Sequence, residues 1–169
     1  MLTPQEDFWK NTITESYARD NSFFDERLGI DAWEEILSKV NKADILSYLD
    51  CGSNIGRNIA FLEKVLPTAS ANIIELAQGP YDKCTKNFNI KESFLGPIKT
   101  AEFNVKFDLV FTIGVLIHLN PDDLLKSMNR MYEMSSRYIL IVLISISIHY
   151  KPLIKAAALL ESCYLMKRF

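Results

Sequence analysis

The chain has little cysteine, little glycine and almost no net charge, and each shortage excludes something. Its 169 residues include three cysteines, Cys51, Cys84 and Cys163. They are odd in number, far apart and without C-x-x-C spacing, which argues against a disulfide framework and against a zinc site. No metal is expected, and a reducing cytoplasm suits such thiols. The formal charge is −2, so the basic footprint that a phosphate backbone demands is missing and nucleic acid is not an expected partner. A small molecule is favoured instead. The longest apolar run, ILIVLISISI (Ile139 to Ile148), has 10 residues, half of what a helix needs to span a bilayer. It reads as a buried strand, and no membrane partner is expected. The start, MLTPQEDFWK, shows neither a cationic leader nor an apolar stretch, so no secretory signal is expected.

About half of the residues are apolar, enough for one domain with a sizeable core and too few residues for two ordinary ones. Asp31 can cap a helix with Trp33, Ile36, Leu37 and Val40 on its apolar face, and DFWKNTITESYARD suggests a further helical segment before it. From Ile45 the elements alternate. A strand at Ile45 to Leu49 leads to a helix from about Arg57 to Leu66, a strand at Ala71 to Leu76, and a helix around Tyr81 to Phe88. A strand near Phe94 to Ile98 then precedes FDLVFTIG (Phe107 to Gly114), which suits a strand buried on both faces.

Asn120-Pro121-Asp122-Asp123 opens the next helix: Asn caps, Pro fits the first position, and the acids meet the positive end of the dipole. Leu124, Leu125, Met128, Met131 and Tyr132 would form its apolar face. Strands alternating with helices imply an α/β fold, a Rossmann-like, doubly wound, mainly parallel sheet with helices on both faces. Residues 1–43 read as a helical cap, 44–150 as the core and 151–169 as a helical tail.

In such sheets ligands bind beyond the carboxyl ends of the strands, so the loops after strands are where chemistry belongs. The first is Asp50-Cys51-Gly52-Ser53-Asn54-Ile55-Gly56. Gly52 permits positive φ and close approach of a ligand, Asn54 tolerates a left-handed conformation, and Gly56 permits close packing of strand and helix. The spacing is not G-x-G-x-x-G, which disfavours a nicotinamide cofactor, and no Gly-Lys-Ser/Thr follows, which excludes a P-loop. Asp50 suits a cationic ligand group better than a pyrophosphate, which it would repel. The second loop offers Glu75, whose carboxylate can accept hydrogen bonds from both hydroxyls of a ribose and rejects a 2′-phosphate. The third, Thr112 to His118, follows FDLVF and can wall the site with small residues and one imidazole.

An acid for a cation, an acid for a ribose and a glycine loop between them describe S-adenosylmethionine (SAM). The chain here resembles the class I SAM-dependent methyltransferases. LDCGSNIG matches the family's strand-acid-G-x-G-x-G pattern with Asn54 in place of the central glycine, IIEL supplies the second-strand acid, and FDLVFTIGVLIHL the fourth-strand motif. The resemblance spans about Glu6 to Ile141. Within the class it is most similar to methylases associated with pseudaminic acid biosynthesis, through FWKNTITESYARDN, LDCGSNIGRNIAFLEKVLP and FTIGVLIHLNPDDL.

The resemblance implies that Asp50, Gly52, Ser53, Asn54 and Gly56 surround the methionine part of SAM, that Glu75 holds the ribose and that Leu76 lies against adenine. Thr112 and Gly114 would close the site, and Tyr17 and Arg19 would belong to an N-terminal lid. His118 is the candidate base for a hydroxyl acceptor, a sugar or nucleotide-linked sugar being the acceptor class implied. The family's sheet normally continues with a helix and an antiparallel hairpin. Here Pro152 to Met166 reads as one helix, which leaves the fifth strand an apolar edge to be covered either by that tail helix or by a second subunit in a homodimer. Two alternatives stand beside the enzyme: a truncated SAM-binding protein without activity, and a nucleotide-dependent oxidoreductase on the same sheet.

Overall fold

The computed structural model describes residues 2–12, 25–143 and 163–167. Among the described residues, two helices come first. Helix α1 (Pro4–Asn11) starts at a capping box in which Thr3 Oγ1 accepts from the Glu6 N–H and Glu6 Oε2 accepts from the Thr3 N–H. Helix α2 (Glu26–Leu37) is capped by Asp25, whose side chain accepts from the amides of Arg27 and Leu28. Asp31, expected as the cap, thus sits inside the helix. Trp33, Ile36 and Leu37 are buried on its inner face.

The strands β1 (Ser47–Cys51), β2 (Ser70–Glu75), β3 (Ile90–Leu95), β4 (Phe107–Ile113), β5 (Ser135–Val142) and β6 (Cys163–Lys167) form one sheet in the order β3-β2-β1-β4-β5-β6. The first five pair in parallel. Their crossovers carry helices α3 (Arg57–Val65), α4 (Gln78–Asn87) and α5 (Pro121–Met134). The order reverses at β1, between β2 and β4, the topological switch point where open α/β sheets form their ligand crevice.

Alternation along the strands feeds two cores. On one face Tyr48, Leu109, Phe111, Tyr138 and Leu140 meet Trp33 and Leu37 of α2 and Ile59 and Leu62 of α3. On the other, Leu49, Cys51, Val110, Ile139 and Ile141 meet Met131 and Met134 of α5. Each face needs a helical layer because strands this apolar cannot leave either side to water.

Three expectations need correction. β3 starts at Ile90, not near Phe94: it is an edge strand with Lys91, Glu92 and Ser93 exposed, so its polar residues hide it from a search for apolar runs while they protect the edge. On α5 the buried face is Asp123, Ser127, Met131 and Met134, whereas Leu125, Met128 and Tyr132 are exposed. The inward face carries Met131 and Met134 into the core and Asp123 into an ion pair with Lys99. Finally, Cys163 to Met166 are strand rather than helix. β6 runs antiparallel to β5, pairing Tyr138 with Lys167 through to Val142 with Cys163. The β5 edge proposed for a homodimer is therefore occupied by the chain itself. Among the described residues, no helix is long and apolar enough to cross a membrane.

Candidate active site

At the carboxyl ends of β1, β2 and β4 the loops enclose a cavity of about 160 Å³. β1 ends two residues later than its apolar run suggests, so Asp50 and Cys51 are paired strand residues opposite Ile73 and Ile74. The loop proper starts at Gly52, whose φ is 94°, and a Cβ there would strike the Val115 side chain. Asn54 follows at φ 49° and Gly56 at φ 90°. A left-handed residue at each of these places suits Gly and Asn and few others. The turn hangs on β2 through the amides of Gly52 and Ser53, both donating to the Ile74 carbonyl.

Glu75 closes β2 and organises the loop. Its Oε2 accepts from the Asn54 N–H at 2.7 Å and its Oε1 from the Ala77 N–H at 2.9 Å. A carboxylate has about four lone-pair sites, so each oxygen keeps acceptor capacity toward the cavity that Glu75 lines. Burial raises its pKa, and the amides of Ala77 and Asn54 oppose the rise.

The sequence-predicted residues divide clearly. Gly52, Ser53, Asn54, Glu75, Leu76, Gly114 and His118 line the cavity. Asp50, Gly56 and Thr112 do not. Asp50 is 1 % exposed, and neither oxygen has a partner of hydrogen-bond geometry. Desolvation pushes its pKa up to about 7, with Glu75 adding to the rise and Asn58 and Arg57 opposing it. Its place on the Tyr48 face of β1 buries it beneath the loop. Gly56 is packed from behind, since a Cβ there would strike the Phe88 ring. Thr112 is fully buried, and its Oγ1 donates to the Cys51 carbonyl at 2.9 Å, clamping β4 to β1 under the loop. Tyr17 and Arg19 lie outside the described residues.

His118 ends a single helical turn after β4, Leu116–His118. Burial lowers its pKa, so the imidazole is neutral at pH 7 and available as a proton acceptor. Its ring lies 4.3 Å from that of Trp9, tilted by 50°. Trp9 lines the cavity with Gln5 and Glu6 of α1. Lys99 Nζ sits 2.8 Å from Glu6 Oε1 and 2.8 Å from Asp123 Oδ2. No local pattern announces these three as a group, because they are 93 and 24 residues apart along the chain. Cys51 and Cys84 are free and buried; burial raises the Cys51 thiol well above its usual range, which makes it a poor nucleophile.

Among the described residues, Ser53 Oγ and Asn54 Oδ1, in residues that line the cavity, have no hydrogen-bond partner. Buried polar atoms are rarely left so, and a polar ligand would satisfy them. Glu75 beside the glycine turn offers its carboxylate to the hydroxyl groups of such a ligand.

Solved structures that superpose on the chain include methyltransferases. Magnesium protoporphyrin IX methyltransferase (ChlM) from Synechocystis PCC 6803, with bound SAM, superposes with TM-score 0.66 and 12 % identity, over 86 % of this chain and 78 % of that one. The amino pentose methyltransferase CalS10 from Micromonospora echinaspora, also SAM-bound, gives TM-score 0.63 and 14 % identity over 82 % of this chain and 59 % of its own. The chain has the class I methyltransferase fold. The plantazolicin methyltransferase BpumL, solved with S-adenosylhomocysteine (SAH) and a pentazolic desmethylPZN analogue, matches at TM-score 0.63 and 18 % identity, over 83 % of this chain and 57 % of that one. Against CalS10 and BpumL the chain thus spans less than two thirds of the neighbour's length. No family model matches the chain, and no curated protein matches it. What the methyltransferase fold contributes here is the switch-point crevice; its chemistry rests on the lining residues.

Proposed function

We propose that the protein is a SAM-dependent methyltransferase acting on a small-molecule acceptor. The observation that carries the reading is Glu75 at the end of β2, lining the cavity while its two oxygens hold the Asn54 and Ala77 amides. An acid so placed receives a ribose diol, and solved neighbours of the same fold carry SAM or SAH.

In this reading Gly52, Ser53 and Asn54 surround the methionine part, Leu76 lies against adenine, and Gly114 borders the reacting end. Asp50, Gly56 and Thr112 act from beneath, shaping the turn and its field rather than touching ligand. Tyr17 and Arg19 belong to the lid proposed for the N-terminal segment. SAM, when bound, supplies a methyl group already activated on a sulfonium. The chain's task is then to align an acceptor and exclude water, and orientation can supply about 7 to 11 kcal/mol of the barrier. His118, neutral and half-buried, takes the proton of a hydroxyl acceptor, an effect worth roughly 10²- to 10⁴-fold. An amine acceptor needs no such base.

The same reading makes the chain a relative of the pseudaminic acid-associated methylases, supported by the stretches at Phe8, Leu49 and Phe111, and makes sugars and nucleotide-linked sugars the first acceptors to try. The test is methyl transfer from SAM labelled in its methyl group to a panel of free and nucleotide-linked hydroxy and amino sugars. Transfer to one of them, abolished by boiling the protein, supports the proposal. SAM binding without transfer to any acceptor class would make the protein a SAM-binding module.

A further inference from the structure

Helix α1 is held in an unusual way. Of its eight residues, Glu6 is the buried one and Trp9 is half-buried. Glu6 is 3 % exposed as a side chain and meets Lys99 Nζ at 2.8 Å, while Lys99, 15 % exposed, meets Asp123 at the same distance. The cluster contains two carboxylates and one ammonium. Its excess charge is met by hydrogen bonds: Asn120 Nδ2 donates to Asp123 Oδ2, and the Thr3 N–H donates to Glu6 Oε2. The three charged residues come from α1, from the turn after β3 (Ile98–Thr100) and from the first turn of α5. A buried cluster of this kind is strongly disrupted when one partner goes, because the remaining charges are then desolvated without compensation.

Glu6 and Trp9 are three residues apart on α1 and share a face. Anchoring Glu6 therefore also fixes Trp9, whose ring meets His118 across the cavity. Lys99 does not line the cavity, whereas Glu6, Trp9 and His118 do.

We propose that Lys99 is a positioning residue: by bridging Glu6 to Asp123 it fastens α1 onto the cavity and sets Trp9 against His118, completing the wall on the acceptor side without touching a ligand. That this wall faces the acceptor rests on the methyltransferase reading; the fastening itself does not.

The test uses the full chain and the emission of Trp9. The protein has two tryptophans; Trp33 is buried against Phe111, and its signal is subtracted with Trp9→Phe. A protonated imidazole in ring contact quenches indole emission, so wild-type Trp9 should dim as pH falls from 8 to 5, and His118→Ala should remove that change. Over this range Asp123 stays ionised, since Lys99 holds its pKa below the usual carboxylate range. Lys99→Met should abolish the pH-dependent quenching, whereas Lys99→Arg should keep its amplitude within about threefold of wild type.

Glu6→Gln, which leaves the Lys99–Asp123 pair intact, should lose the quenching as Lys99→Met does, and it decides the matter if Lys99→Met fails to melt cooperatively. Wild-type quenching in Lys99→Met, or in Glu6→Gln when only that variant folds, overturns the proposal. So does a Lys99→Arg protein that loses as much as Lys99→Met. A wild-type protein that binds no SAH would withdraw the methyltransferase reading, while the quenching experiment still decides the role of Lys99.

Discussion

Asp50 offers the sharpest test of the site's electrostatics. It is fully buried, without a hydrogen-bond partner, and desolvation raises its pKa from about 3.8 to about 7. The native state therefore binds this proton more tightly than the unfolded chain does. The stabilisation it gives is complete below about pH 4, and is lost as the pH rises through about 7. Asp50→Asn keeps the shape of the neutral acid and removes the titration. A shift of about 3 units at roughly 1.36 kcal/mol each amounts to about 4 kcal/mol. The variant should accordingly be more stable than wild type by about 4 kcal/mol at pH 8, but by only about half as much at pH 5, where the native carboxyl is protonated and unfolded Asp is itself largely ionised. For a domain of this size the pH 8 difference corresponds to about 8 to 16 °C in Tm. Urea denaturation of both proteins at matched pH values from 5 to 8 measures it, since all other groups cancel in the comparison. Parallel stability profiles for the two proteins would refute the reasoning and return Asp50 to an ordinary ionised carboxylate.

Three further outcomes follow from named contacts. Glu75→Ala should weaken SAH binding by about 1.5 to 3 kcal/mol for each ribose bond lost, read by calorimetry on protein shown to be folded; unchanged affinity removes Glu75 from the site. With an acceptor in hand, His118→Ala should lower turnover by roughly 10²- to 10⁴-fold while leaving SAM affinity nearly intact, and wild-type turnover would make His118 structural. Gly52→Ala forces a Cβ at φ 94° into the Val115 side chain and should destabilise the fold by about 1 to 3 kcal/mol. Adding Val115→Ala should recover part of that loss in urea denaturation, and no recovery would show that the backbone angle alone carries the cost.

Much of the fold was legible because its signals are local. The alternation of apolar strands with helical periods gave the parallel sheet, and Asn120 caps α5 by accepting from the Asp123 N–H, as its sequence predicts. What stayed hidden depends on partners distant in the chain. β3 is polar because it is an edge. Asp50 reads as a loop acid, but pairing with β2 and β4 carries β1 two residues further and buries it. Asp123 reads as an acid at a helix dipole, and its meeting with Lys99 lies on the same inward face as Met131 and Met134, while Met128 and Tyr132 turn out. β6 escaped because its strand character is expressed through pairing with β5. At the site, the glycine and asparagine positions could be read from their required backbone angles. Trp9 could not, since a tryptophan in a polar helix carries no sign of what it will face.

The account stands most directly on one titration: SAM and SAH binding to the purified full-length chain by calorimetry, with NAD as control. Binding of SAM and SAH in the micromolar range, with no heat from NAD, is the predicted result. A folded protein that binds neither, or that prefers NAD, would contradict the assignment of Glu75 and the LDCGSNIG turn to SAM.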